Sequence, residues 1–198
     1  MSKKKDTFLN MVVSLFVITI ISGFALGYVN ELTTGPIAKA KLERKVNALK
    51  LVLPNFDNNP VEDVHLIKSE FAKDSVEVFP AYLKNNFVGA AVIGSTEKGF
   101  SGLIKLMVGF NTSGDIQNIV VLEQKETPGL GTKIKGEKFL QQFRNIDPSK
   151  FNLKVKKDGG EVDALTGATI TSRAFGEAVQ MAFDEFMKNN DLLIKAKN

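Results

Sequence analysis

No charged residue lies between Asp6 and Glu31, and within that gap Phe8 to Val29 forms an almost unbroken apolar run. At about 1.5 Å of rise per residue such a run spans roughly 33 Å as a helix, enough to cross the hydrocarbon core of a bilayer. Cleaved secretory signals have a shorter apolar stretch, about 7–15 residues, ending in small residues. Here Ala25-Leu26-Gly27 is followed by the bulky Tyr28. The pattern predicts an uncleaved anchor over residues 1–35 that lies in membrane lipid. Lys3, Lys4 and Lys5 precede the run, which predicts a cytoplasmic N-terminus and a main domain on the outer, or periplasmic, side of the inner membrane.

Beyond the anchor the period changes. Ala38 to Leu53 places Leu42, Val46, Leu49 and Val52–Leu53 at helical spacing, closed by Pro54. Pro36 follows Gly35 and predicts a break between the anchor and this second helical piece. Strand-like runs then follow at Val76–Tyr82, Asn86–Ile93, Leu103–Phe110, Ile116–Glu123 and Phe151–Lys156. Asn85-Asn86 reads as one hairpin turn and Asn111-Thr112-Ser113-Gly114-Asp115 as another. Gly136–Phe143 reads as a short helix. From Ser172 to about Asn189, Ala174-Phe175, Ala178-Val179, Ala182-Phe183 and Phe186-Met187 recur every four residues, as on a helix packed against a sheet. Runs of strands with helices at the ends predict an α+β fold over residues 36–198, a mainly antiparallel sheet packed by helices.

Charge and composition narrow the function. The net charge is +4, of which the first six residues, with three Lys and one Asp, supply +2. A near-neutral remainder is a poor nucleic-acid binder, because phosphate neutralisation needs a concentrated basic face. There is no cysteine and one histidine, His65. Disulfides, thiolate metal sites and cysteine-held clusters are excluded, and no metal site or histidine-based catalytic residue is expected. Redox chemistry in this chain requires an organic cofactor.

Two segments carry candidate chemistry. Asp163-Ala164-Leu165-Thr166-Gly167-Ala168-Thr169-Ile170-Thr171-Ser172 ends where the long helix is predicted to begin, with Ser172 in the N-cap role. Gly167 and Ala168 let a bulky group approach the backbone. The open N–H groups and positive dipole end of the first helical turn suit a phosphate. Arg173 is placed to add a cationic partner. Glu126-Thr127-Pro128-Gly129-Leu130-Gly131 follows a predicted strand, and Pro128-Gly129 predicts a type II turn that exposes backbone N–H groups beside a flat, small-residue surface. A planar ring fits against Leu130. No G-x-G-x-x-G is present, and Gly131 to Gly136 has P-loop glycine spacing but continues with Glu137-Lys138. The two loops thus offer a phosphate end and a ring end, outside the common nucleotide motifs.

On these residues the chain resembles the covalent-FMN subunits of bacterial ion-motive redox complexes, in particular the G subunits of Rnf electron-transport complexes. The homologous C subunits of Na⁺-translocating NADH:quinone reductases share the FMN-binding domain. The resemblance runs from the single span through E-T-P-G-L-G to D-x-x-T-G-A-T. It implies one FMN per chain, joined through its phosphate by a flavin transferase to the hydroxyl of Thr169. Asp163 would belong to the transferase recognition segment, Leu165, Thr166, Gly167 and Ala168 would shape the loop, and Thr171 and Ser172 would bind phosphate. Glu126, Thr127, Gly129, Leu130 and Gly131 would line the flavin. Gly99-Phe100-Ser101-Gly102 resembles a further Gly–aromatic turn of the family, with Phe where Tyr is frequent. Lys157, just before Asp158-Gly159-Gly160, is placed to neutralise reduced flavin. The resemblance further implies an electron-transfer subunit without a substrate pocket, working among other Rnf subunits that couple ferredoxin–NAD⁺ electron transfer to Na⁺ or H⁺ movement. Two other readings fit the residues: an FMN carrier serving another membrane reductase, and a tethered binding module without redox chemistry.

Overall fold

The computed structural model describes residues 8–69 and 75–195. Lys3, Lys4, Lys5 and Asp6, on which the expected orientation rests, lie outside the described residues. The chain divides into two compact units, Met1–Glu43 and Arg44–Asn198, so the expected boundary at residue 35 falls inside the first.

The first unit holds most of helix α1 (Phe8–Val52). Its most apolar window has a mean hydropathy of 2.3 and no buried residue, which makes it long and apolar enough to cross a membrane. The break expected at Pro36 does not occur, and α1 runs through it. Proline there removes one amide donor, the one directed at the Leu32 carbonyl, and the regular ladder on either side carries the helix across that single gap. The Thr33 and Thr34 hydroxyls donate back to the carbonyls of Val29 and Asn30, at 2.8 and 2.7 Å.

The second unit is built on a five-stranded antiparallel sheet in simple chain order: β1 (His65–Ile67), β2 (Val76–Leu83), β3 (Asn86–Gly99), β4 (Gly102–Asn111) and β5 (Ile116–Gln124). Four strands match the expected ones, and the three-residue β1 has no counterpart among them. The β2–β3 turn is centred on Lys84-Asn85, both at positive φ (50° and 66°), one residue before the expected Asn85-Asn86. That pair of left-handed residues matches the twist of a tight hairpin. In the next hairpin the Asn111 side chain accepts from the amides of Ser113 and Asp115 and so closes its own loop.

Alternation along the strands sorts two cores. Val76, Val78, Val92, Ile104, Leu106, Val108 and Phe110 face α3 (Thr169–Lys195), whose Ala174, Phe175, Ala178, Val179, Ala182, Phe183 and Phe186 form the expected apolar stripe. Phe79, Ala81, Ala91, Ile93 and Met107 face the other way, onto Ala48, Leu49, Val52 and Leu53. The sheet is therefore covered on one side by α3 and on the other by the last turns of α1. Two glycines make this possible. A Cβ on Gly94 would stand 2.1 Å from the Ala178 carbonyl oxygen, and one on Gly109 would stand 1.9 Å from that of Val52.

The short helix expected at Gly136–Phe143 is α2 (Glu137–Leu140), continued by one 3₁₀ turn at Gln141–Phe143. Its Phe139 and Phe143 close on Phe175 of α3 at 5.1 and 4.9 Å between ring centroids. The strand expected at Phe151–Lys156 is not a strand. Leu153 and Val155 are buried as the alternation requires, but the segment has only an isolated bridge between Val155 and Val162 before a 3₁₀ turn at Lys156–Asp158.

Gly109→Ala should lower the stability of the second unit by about 1–3 kcal/mol, because the new methyl group overlaps the α1 backbone. An unchanged melting temperature for the variant would show that the end of α1 does not press on the sheet.

Candidate functional site

The site is assembled where α3 begins. The Ala168 carbonyl accepts the first helical bond, from the Ser172 amide at 3.0 Å, so the helix opens at Thr169, three residues earlier than expected. Ser172 is not an N-cap. Its hydroxyl donates to the Ala168 carbonyl and accepts from the Leu165 amide, both at 3.0 Å, which ties the preceding loop to the helix. That loop turns between Leu165 and Ala168, whose amide donates to the Leu165 carbonyl, with Gly167 at φ 77°. The Thr171 hydroxyl donates to Glu126 at 2.6 Å. Thr171 and Ser172, expected to bind phosphate, are both buried and spend their hydroxyls inward. Thr169 is half-buried, and among the described residues nothing pairs with its hydroxyl. The amides of Thr169, Ile170 and Thr171 beside it have no earlier carbonyl in the helix to bond.

The second loop forms the expected type II turn, with Leu130 N–H donating to the Thr127 carbonyl at 3.2 Å and Gly129 at φ 75°. It does not expose its amides as expected. Gly129 N–H is taken by the Thr132 hydroxyl at 3.0 Å, and the Thr132 amide returns to the Thr127 carbonyl. The space around Gly129 is open, with nothing within 4 Å of an added Cβ. Leu130 is 44% exposed. Its Cδ2 would lie 3.4 Å from a Cβ on Gly167, so the two loops meet.

Glu126 joins these parts. Sequence reasoning places it among the residues lining a flavin, but its side chain is only 3% exposed and points inward. One carboxylate oxygen accepts from the Ser101 amide at 3.1 Å and the other from the Thr171 hydroxyl. Both neighbouring glycines make room for it. A Cβ on Gly99 would stand 2.6 Å from Oε1, and one on Gly131 2.7 Å from Oε2. The Gly99–Gly102 turn, with Phe100 exposed at its tip, is thereby fixed to both loops.

Charged neighbours are arranged differently from expectation. Arg173 is spent on Asp158, with Nε–Oδ2 at 2.6 Å and Nη2–Oδ1 at 2.8 Å, and is not held ready for an anion. This guanidinium holds the Asp158 carboxyl below the usual carboxylate range, and Asp158 in turn raises Arg173. Lys156 reaches the Asp163 carboxylate, at 2.7 Å. Lys157 is exposed, and among the described residues no ion pair includes it. The Asp163 main chain is held at two points by the Gln142 side-chain amide, which accepts at 2.8 Å and donates at 3.2 Å. Gln142 escapes the sequence reading, because it belongs to no motif, and Ser101, although inside the Gly99–Gly102 turn, contributes only its main-chain amide, which residue type does not announce.

The residues present fit a phosphate-linked planar ligand: a free hydroxyl at Thr169, open amides beside it, a half-exposed Leu130, and unfilled space at Gly129. Residues 99–184 match the family described as the FMN-binding domain, which includes all three loops. The chain is 33% identical over 178 residues to the G subunit of the ion-translocating oxidoreductase complex of Shewanella piezotolerans, covering 85% of this chain and 84% of that protein. It is 31% identical over 183 residues to the G subunit of the Na⁺-translocating ferredoxin:NAD⁺ oxidoreductase complex of Acetobacterium woodii, covering 87% and 88%. Among solved structures, Shewanella oneidensis NqrC superposes with a TM-score of 0.50 at 25% identity, over 68% of this chain and 70% of that one.

The Asp158–Arg173 pair makes a pH prediction. Asp158 titrates lower in the folded chain than in the unfolded one, so its contribution is present above the unfolded value of about 3.9 and is lost as pH falls through the lowered folded value. Asp158→Asn should therefore be less stable than the parent at neutral pH, and the gap should close on acidification below about pH 4. Denaturant titrations at several pH values measure it, and a gap that persists at low pH would contradict the assignment.

Proposed function

From the premise that this chain belongs to the family of G subunits of ion-translocating oxidoreductase complexes, we propose that it is a membrane-anchored electron-transfer subunit carrying one FMN on Thr169. One observation carries the choice of residue. Of the three hydroxyls in the first turn of α3, those of Thr171 and Ser172 are buried and bonded, and only that of Thr169 is unspent. Thr169 would hold FMN through a phosphoester made by a flavin transferase, its hydroxyl oxygen displacing the leaving group from the phosphorus of an activated FMN donor and giving up its proton. The open amides of Thr169, Ile170 and Thr171 would hold its phosphate, at a helix end whose dipole favours an anion. Gly129, Leu130 and Gly167 bound the space for the ring, and Asp163, Leu165, Thr166 and Ala168 shape the loop. When bound, FMN supplies reversible electron acceptance, and the protein supplies position and electrostatics.

The covalent link keeps the cofactor with its subunit in every redox state. Helix α1 anchors the chain in the membrane, with the N-terminus in the cytoplasm and the FMN-binding domain on the outer side. The partners are the other subunits of an Rnf-type complex, in which electron transfer between ferredoxin and NAD⁺ drives ion movement. The chain turns over no substrate of its own.

Thr169→Ala, co-expressed with a flavin transferase, should fold normally and lose both in-gel flavin fluorescence and the FMN increment in intact mass. Covalent flavin that persists in the folded variant would falsify the assignment.

A further inference from the structure

Glu126 is a buried acid without a cationic partner. Among the described residues no Lys, Arg or His pairs with it, and its side chain meets only a peptide N–H and a hydroxyl. Each of its two carboxyl oxygens accepts one hydrogen bond, the arrangement an ionised carboxylate takes. The Ser101 amide can only donate, and the Thr171 hydroxyl is turned to the second oxygen, so both partners match a charged Glu126. Breaking either bond leaves a buried charge unsatisfied, which costs more than an ordinary hydrogen bond. The three segments it joins are therefore held in one arrangement: the Gly99–Gly102 turn, the Thr127–Gly131 loop and the first turn of α3.

We infer that Glu126 is a positioning residue that fixes the ring-side loop to the first turn of α3 and, through its buried charge, lowers the reduction potential of the flavin. The inference rests on FMN being attached at Thr169, two residues from the Thr171 hydroxyl that Glu126 holds. A ring lying against Leu130 then has this negative charge behind the same loop, screened by protein and not by water. Reduction adds electrons to the ring, and a neighbouring negative charge in a low-dielectric setting opposes that gain. Because Glu126 is buried and both its oxygens are engaged by the protein, it would act without touching the cofactor.

The test uses the full chain loaded with FMN, titrated spectroelectrochemically, together with amide exchange on the flavin-free chain. Glu126→Gln keeps the shape and removes the charge. It should retain the FMN mass increment and shift the midpoint potential upward. Thr171→Val keeps the charge and removes one bond. It should speed exchange of the Ser101 amide without the upward shift. A Glu126→Gln potential equal to that of the parent, or equal upward shifts in both variants, would overturn the inference. If Glu126→Gln does not fold, Thr171→Val decides alone: faster exchange at Ser101 supports the clamp and unchanged exchange refutes it. Thr169→Ala separates the two readings. If covalent flavin persists there, the attachment assignment fails. If it is lost while the potential of Glu126→Gln is unmoved, only the inference about Glu126 fails.

Discussion

The candidate site depends on one buried acidic side chain that bulk solvent barely reaches. Glu126 is satisfied only when the Ser101 amide and the Thr171 hydroxyl reach it together, and these lie 25 positions before and 45 after it in sequence. A buried acceptor left unbonded is expensive, so the arrangement is close to all-or-none. Glycine at 99 and 131 is the matching condition, because a side chain at either place would occupy the volume of the carboxylate. The loops therefore need no large core of their own. They borrow their order from the sheet at one end and from α3 at the other.

The sheet is the other half of that support. Its central strands are covered on both faces, by α3 and by the last turns of α1, and β3, β4 and β5 carry the loops out from that covered body. Close backbone contact at Gly94 and Gly109 brings each helix near enough for small residues such as Ala178 and Ala48 to pack directly on the strands. Functional loops on a rigid scaffold are a common division of labour. Here the division is sharp: Leu130, Ile170 and Phe100 are exposed on the three loops, while Glu126, Thr171 and Ser172, which tie those loops together, are buried.

Much of this is legible in the sequence, and what is not fails for identifiable reasons. Strands β2 to β5 and the stripe of α3 announce themselves because burial and hydrogen bonding share a period there. At Phe151–Lys156 they part company. Leu153 and Val155 alternate inward, yet no neighbouring strand supplies a ladder, so the pattern reports burial alone. Pro36 reads as a stop because a proline removes a donor, but one missing bond does not end a helix that is regular on both sides. Ser172 reads as a cap because its residue type suits one, whereas its hydroxyl serves the loop before the helix. The two motifs are visible as spacing. The roles within them are not, since whether a threonine, an arginine or a glutamate is free or already engaged is decided by distant partners such as Asp158 and Ser101.

The strand order has a consequence for biogenesis. Every pairing in the sheet joins neighbours in the chain, so the meander closes only small loops and can zip up early, at little entropic cost. The return of α3 over the finished sheet is the long-distance step, and the bond from Thr171 to Glu126 belongs to it. A nascent chain that has emerged only as far as β5 still lacks the segment that carries Thr171, so the clasp on Glu126 waits for the arrival of the last helix.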